Sequence, residues 1–242
     1  MIAYVARDLG TGACLKAHEE LQLPAYSTIK VLLAVAFWRA VERGELSDAE
    51  PYAFEPGSSV GGGGVLRGFR HTARLALADL AHLMLAVSDN DATNIVAGCM
   101  GFDRVNDLAA ELGLRHTAMR RLMMDTEAVA AGRENHTSAA DLATLLEHLV
   151  AGATLEPAVT GPVLASLGRQ EHRDGIARYL PRTASYSGKC GDDSPVGRYA
   201  HDCALIREGD RRVVMAIMTD GAGGFEAVSR TGAALYQALG KA

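Results

Sequence analysis

Strand-like alternation at both ends of this chain, with helix-like periodicity between them, restricts the fold more than any other feature of the sequence. Residues 2–9 alternate, Asp8 to Gly12 reads as a hairpin turn, and Ala13 to His18 returns. Near the other end, Ala184–Lys189, Tyr199–Arg207 and Arg212–Thr219 read as strands, with Glu208-Gly209-Asp210 as a turn and a closing helix from Phe225 to Leu239. Between them, helical spacing runs from Ser27 to Arg43, Thr72 to Val87, Ala92 to Met100, Asp103 to Leu112, Thr137 to Val150 and Ala158 to Arg169. Residues 45–72 are loop-rich around Gly61–Gly64, and 118–135 read as an ordered loop. One sheet must therefore be built from both termini, which is a mixed α/β fold with a helical insertion. The expected division is an α/β part at about 1–45 and 170–242 and a helical part at about 46–169.

With 242 residues and 48% hydrophobic content, the chain can bury a large core. A net charge of -5 and an aromatic content of 5% leave no electrostatic or stacking footprint for nucleic acid. No apolar run approaches the roughly 18 residues of a membrane span, so no membrane partner is expected. Met1-Ile-Ala-Tyr-Val lacks a basic leader, and a cytoplasmic protein is expected. Cys14, Cys99, Cys190 and Cys203 match no zinc spacing, and the eight histidines show none either, so neither metal nor cofactor is expected. Cys14, Cys99 and Cys203 read as buried, inert thiols.

Three short motifs carry the chemistry. Ser27 and Lys30 stand three apart at a helix start, so both side chains share one face. A serine hydroxyl needs an adjacent base, and a lysine serves when burial or a neighbouring cation lowers its pKa. The same pattern alone also fits an N-cap serine and a solvated lysine. Ser88-Asp89-Asn90 follows an apolar helix, where it fits either a polar site or an Asx-capped turn. Gly188-Lys189-Cys190-Gly191 ends a strand, and such glycine flanks let a ligand approach the backbone. Only four lysines occur in the chain, and two of them complete these motifs.

Ser-x-x-Lys, Ser-Asp-Asn and Lys-x-Gly in this order form the signature of class A β-lactamases and penicillin-binding proteins. The chain resembles that superfamily of Ser-x-x-Lys acyltransferases over nearly its whole length. More narrowly, it is similar to β-lactamase-related serine hydrolases without export signals. The resemblance implies a β-lactamase/transpeptidase-like fold, an antiparallel sheet flanked by helices plus an all-helical subdomain. It implies that Ser27 attacks the carbonyl while Lys30 assists deprotonation. Ser88 relays a proton to the leaving nitrogen, Asn90 binds the substrate amide, and Lys189 stabilises charge and keeps Lys30 neutral. The oxyanion hole would be the backbone N–H groups of Ser27 and Asp192.

Departures from the family pattern shape the expected substrate. The Glu-x-x-Leu-Asn motif, whose Glu activates the deacylating water, is absent from 122–135. Asp125, Glu127 and Glu134 are candidate substitutes, with Glu127 preferred. The third motif reads Lys-Cys-Gly, so Cys190 replaces a hydroxyl that binds the substrate carboxylate, and a thiol is a weaker donor. Cys190 reads as a small strand residue, with a reactive thiol as the alternative. Cys190, Gly191 and Asp192 are the expected substrate-binding segment. Asp192 and Asp193 disfavour an anionic substrate and favour a neutral or cationic one, and no obvious arginine replaces the carboxylate clamp, although Arg198 is close in sequence. Gly61–Gly64 reads as a flexible rim over the cleft. His201-Asp202 reads as part of a strand beside the site, with a triad through His201 left open. The leading expectation is a hydrolase or transacylase acting on a small amide or ester. A true β-lactamase and a non-turnover sensor are the alternatives.

Overall fold

The computed structural model describes residues 1–221 and 223–241. In chain order, β1 (Ile2–Asp8), β2 (Cys14–Ala17) and the short β3 (Leu23–Pro24) precede α1 (Ile29–Glu42). Then come β4 (Pro51–Phe54), β5 (Ala73–Ala76), α2 (Leu77–Ala86), α3 (Asn90–Met100) and α4 (Phe102–Glu111). After these follow α5 (Thr126–Ala130), β6 (His136–Thr137), α6 (Ala139–Ala151) and α7 (Pro157–Leu167). The chain ends with β7 (Ser185–Asp192), β8 (Ala200–Glu208), β9 (Arg211–Thr219) and α8 (Gly224–Leu239).

The two ends of the chain meet as the alternation requires. A five-stranded antiparallel sheet has the order β2-β1-β9-β8-β7, with Ile2 opposite Thr219 where first and last strands pair. Every residue of β9 from Val213 to Met218 is buried, because the sheet is covered on both faces. Val213, Met215 and Ile217 join Val228, Leu235 and Leu239 of α8 in one core. Val214, Ala216 and Met218 turn to the other face and join the main core, which runs through α6 into the helices. α1 is apolar all round from Val31 to Phe37, so it is enclosed, packing on α2, α3, α4 and α7. α6 lies within residues 46–169 yet packs on β1, β8 and β9, so the helical stretch is not one separate body.

Two segments differ from the reading of the sequence. Thr72 to Ala76 does not begin a helix. Ala73–Ala76 pairs in register with Pro51–Phe54, and the helix starts at Leu77. Tertiary pairing overrides the helical preference of an alanine-rich stretch there. The loop at 118–135 contains one short helix, α5, because the Asp125 side chain accepts from Ala128 N–H and caps it. Cys14 is exposed on the outer strand β2, not buried, because alternation on an edge strand turns it to solvent.

Candidate active site

Ser27 sits in a single 3₁₀ turn, Tyr26–Thr28, that leads into α1. The turn lies against the free edge of β7. A Cβ on Gly191 would come within 2.5 Å of Ser27 N and 3.2 Å of Ser27 Cα, so only glycine lets strand and nucleophile approach this closely. Tyr26 holds a left-handed φ of 46°, and backbone strain of this kind persists where surrounding contacts over-determine it.

The turn is anchored from behind. His201, wholly buried on β8, bonds Pro24 O through Nε2 at 2.9 Å and accepts from Thr219 N–H at Nδ1. These partners fix Nε2 as the protonated nitrogen. Burial pushes the imidazole down to about 4, so it stays neutral. His201 is thus a strut under the nucleophile turn, and its bonds leave it no part in a triad. Next to it, the buried Asp202 accepts from the Tyr186 hydroxyl and from Ile176 N–H. Burial raises the Asp202 carboxyl to about 6.

These neighbours have opposite effects on acid stability. His201 is depressed from 6.5, so it withdraws stability as pH falls from 6.5 towards 4. Asp202 is raised from 3.8, so its contribution is present at low pH and is lost as pH rises towards 6. Asp202→Asn keeps the shape without the charge. Its stability relative to the natural protein should climb by about 3 kcal/mol between pH 4 and 7 in urea titrations. A difference that does not change with pH would mean that Asp202 is not the buried acid described here.

Both lysines of the motifs are wholly buried. Lys30 Nζ lies 2.8 Å from Ser88 O, 2.8 Å from Asn90 Oδ1 and 3.1 Å from Ser88 Oγ. Lys189 Nζ donates to the same Ser88 Oγ at 3.0 Å and to Cys190 O at 2.8 Å. One hydroxyl therefore bridges the two amines. Desolvation, and then the charge of Lys189, hold Lys30 well below the ordinary lysine value. Burial lowers Lys189 too, against the opposing pull of its thiol and acidic neighbours, Asp202 among them. Both amines are thus held below the ordinary lysine value, Lys30 by burial and by the charge of its neighbour. Ser27 is not among the hydrogen-bond partners of Lys30 Nζ. Ser88 itself holds a left-handed φ of 55°.

Asp89, the middle residue of Ser88-Asp89-Asn90, has no catalytic or binding role in the reading of the sequence beyond an Asx cap, and it does cap the following helix. Its wholly buried carboxylate accepts from Val65 N–H at 2.6 Å, Leu66 N–H at 2.9 Å and Ala92 N–H at 2.9 Å. It both caps α3 and ties down the glycine rim. Asn90 donates to Gly61 O through its side-chain amide and to Gly63 O through its backbone N–H. Gly61–Gly64 is thus a rim fastened to the catalytic turn. A Cβ on Gly64 would come within 2.3 Å of the Asp89 carboxylate, which explains a glycine at that point. Asn94 clamps the backbone of Met123 from both sides, and Met124 (φ 63°) follows at the cleft.

A cleft of about 570 Å³ opens in front of Ser27. Ser88, Asn90, Cys190, Gly191 and Asp192 line it, with Gly62, Gly63 and Met124. Asp174, His172 and Phe225 also line it and carry no local signal, because the loop before residue 176 and the start of α8 reach it only in three dimensions. The loop acids are elsewhere. Asp125 caps α5, Glu134 pairs with Arg121 at 2.6 Å, and Glu127 is exposed on α5, off the cleft lining. Burial raises the Cys190 thiol to about 11, so it is protonated and not a nucleophile at neutral pH. Asp193 turns away to accept from Tyr199 N–H. Arg198 is bound to Asp220 at 2.6 Å, so it forms no clamp on the cleft.

Two buried amines sharing one hydroxyl behind a serine, on this antiparallel sheet, make the protein a β-lactamase-related serine hydrolase. The chain belongs to the beta-lactamase enzyme family, whose sequence model matches residues 2–241. A beta-lactamase from Sphaerobacter thermophilus DSM 20745 is 26% identical, with a TM-score of 0.91 over 100% of this chain and 92% of that one. PBP-A is 27% identical, with a TM-score of 0.90 over 100% and 91%. The beta-lactamase regulatory protein BlaB of Streptomyces cacaoi is 32% identical over 133 residues, which are 54% of this chain and 42% of that relative. The fold expected from the sequence is the one found. Among the described residues, no helix is long and apolar enough to cross a membrane, and no cluster of metal-ligating side chains occurs.

Proposed function

We propose that this protein forms an acyl-enzyme on Ser27 with a small amide or ester and releases it slowly to water. Ser27 Oγ bonds to the carbonyl carbon, and the carbon–nitrogen or carbon–oxygen bond of the substrate breaks. The hydroxyl proton passes through Lys30 and Ser88 to the leaving atom. The observation that carries this reading is the hydroxyl of Ser88 held between two buried amines. The backbone N–H groups of Ser27 and Asp192 would receive the oxyanion. Gly191 against Ser27 brings those two segments together.

We infer slow release from the acids that could replace the missing motif Glu, none of which lines the cleft. Water needs a base to attack an ester at a useful rate, and general bases typically contribute 10²–10⁴-fold. Asp125 and Glu134 are engaged in bonds of their own, and Glu127 faces solvent. The acyl group then passes to water slowly or to another acceptor. The same placement favours a second reading, a ligand sensor that is acylated and does not turn over. A variant of PBP-A has been solved as an acyl-enzyme complex with penicillin G, so β-lactams belong among the first substrates to try.

Intact-protein mass against time, with benzylpenicillin and a neutral activated ester in parallel, tests the proposal. A lasting adduct that vanishes in Ser27→Ala is expected. Labelling that survives Ser27→Ala would overturn the nucleophile. Glu127→Gln should leave acylation and deacylation within about twofold of the natural protein. A deacylation rate falling by the 10²-fold or more expected of a general base would instead restore Glu127 as the water activator.

A further inference from the structure

The carboxylates that face the substrate are not the pair expected from the sequence. Asp193 is consumed by its bond to Tyr199 N–H. Asp174, from the loop before residue 176, stands with Asp192 on the lining of the cleft that holds Ser27. Among the described residues, neither Asp174 nor Asp192 takes part in an ion pair.

The basic groups nearby are used elsewhere. Arg198 is bound to Asp220, and Lys30 and Lys189 are buried behind the lining on Ser88 and the backbone. His172 is the one lining side chain among the described residues able to carry positive charge. Phe225 supplies an aromatic ring to the same lining, and an aromatic face attracts alkylammonium groups. Desolvation raises the Asp192 carboxyl, and the charge of Asp193 adds to this against the opposing Ser194 N–H bond and the charges of His172 and Lys189, so a cation set against it would relieve the site further.

We infer that the cleft selects substrates bearing a positive charge, an alkylammonium group held by Asp174, Asp192 and Phe225 while Ser27 takes the acyl group. The inference rests on the acyl-Ser27 reading for its chemistry, though not for the binding of the cation. Two carboxylates outside any ion pair at the wall of a cleft attract a cation and repel an anion, so charge on the substrate acts twice.

Three activated esters of one skeleton, ending in trimethylammonium, tert-butyl or carboxylate, decide the matter. Acylation of Ser27, read as kcat/KM or as adduct formation, should follow the order cation, neutral, anion, with about 100-fold between the extremes. The preference should weaken as salt is raised. Asp174→Asn with Asp192→Asn, which keeps the backbone N–H of residue 192, should shrink the spread to about threefold. Equal rates for the three esters, or a spread that survives the double variant, overturn the inference while leaving Ser27 as nucleophile. If no ester acylates Ser27, the acyl reading fails. Calorimetric binding of the matching ammonium and carboxylate amides to Ser27→Ala then tests the cation site alone. Tighter binding of the ammonium sustains it, and equal or no binding of both overturns it.

Discussion

Replacing Lys30 with alanine is expected to slow acylation of Ser27 by about 10³-fold or more, with the fold retained by circular dichroism. The size is that of a general base removed from a buried site. The sign of the pH dependence gives a sharper check. On the proposed reading Lys30 acts as the neutral amine, and burial and the charge of Lys189 hold it well below the usual lysine value. Acylation by a neutral ester should therefore rise with pH through an inflection far below that of a free amine and then level off. Lys189→Ala removes the neighbouring charge, so the inflection should move to higher pH. An unmoved inflection would mean that the two amines are not coupled through Ser88. Lys30→Ala should lose the inflection altogether and keep only the slow residual rate.

Asp89→Ala should be the most destabilising single change in the site. Three N–H groups would lose their acceptor at once, two on the rim and one at the start of α3. Each unsatisfied buried donor costs about 1–3 kcal/mol, so a loss of about 4 kcal/mol or more is expected in urea unfolding. Asp89→Asn retains one acceptor oxygen and should recover part of that loss. If Asp89→Ala unfolds at nearly the natural midpoint, the rim is held by something other than this carboxylate. A variant that folds should also acylate poorly, because Ser88 and Asn90 flank the residue removed.

The legible parts of this molecule were those governed by short spacing. Ser27 and Lys30 stand three residues apart across the 3₁₀ turn and the start of α1, and the cleft is lined by Ser27, Ser88 and Asn90 together. Strand alternation found the sheet and placed Lys189 at its edge strand. What stayed hidden depends on partners far away in sequence. Asp89 binds a loop 23 and 24 residues distant, with no periodicity to announce it. Asp174 and Phe225 reach the cleft from segments that look like ordinary loop and helix start. The stretch before α2 reads as helix because alanine favours it, and only pairing with Pro51–Phe54 makes it a strand. The position of Glu127 could not be read, since α5 turns that side chain outward.

The contact between Gly191 and Ser27 also bears on how copies of this chain behave in a crowded solution. A sheet with open sides offers rows of unmet hydrogen-bonding groups, and neighbouring molecules can zip onto them. On one side, β2 is only four residues long and carries Lys16, which makes it a poor template. On the other, β7 is eight residues long, and the turn bearing Ser27 lies against it. The turn bearing Ser27 is also a guard, set where an unguarded sheet would recruit its own kind.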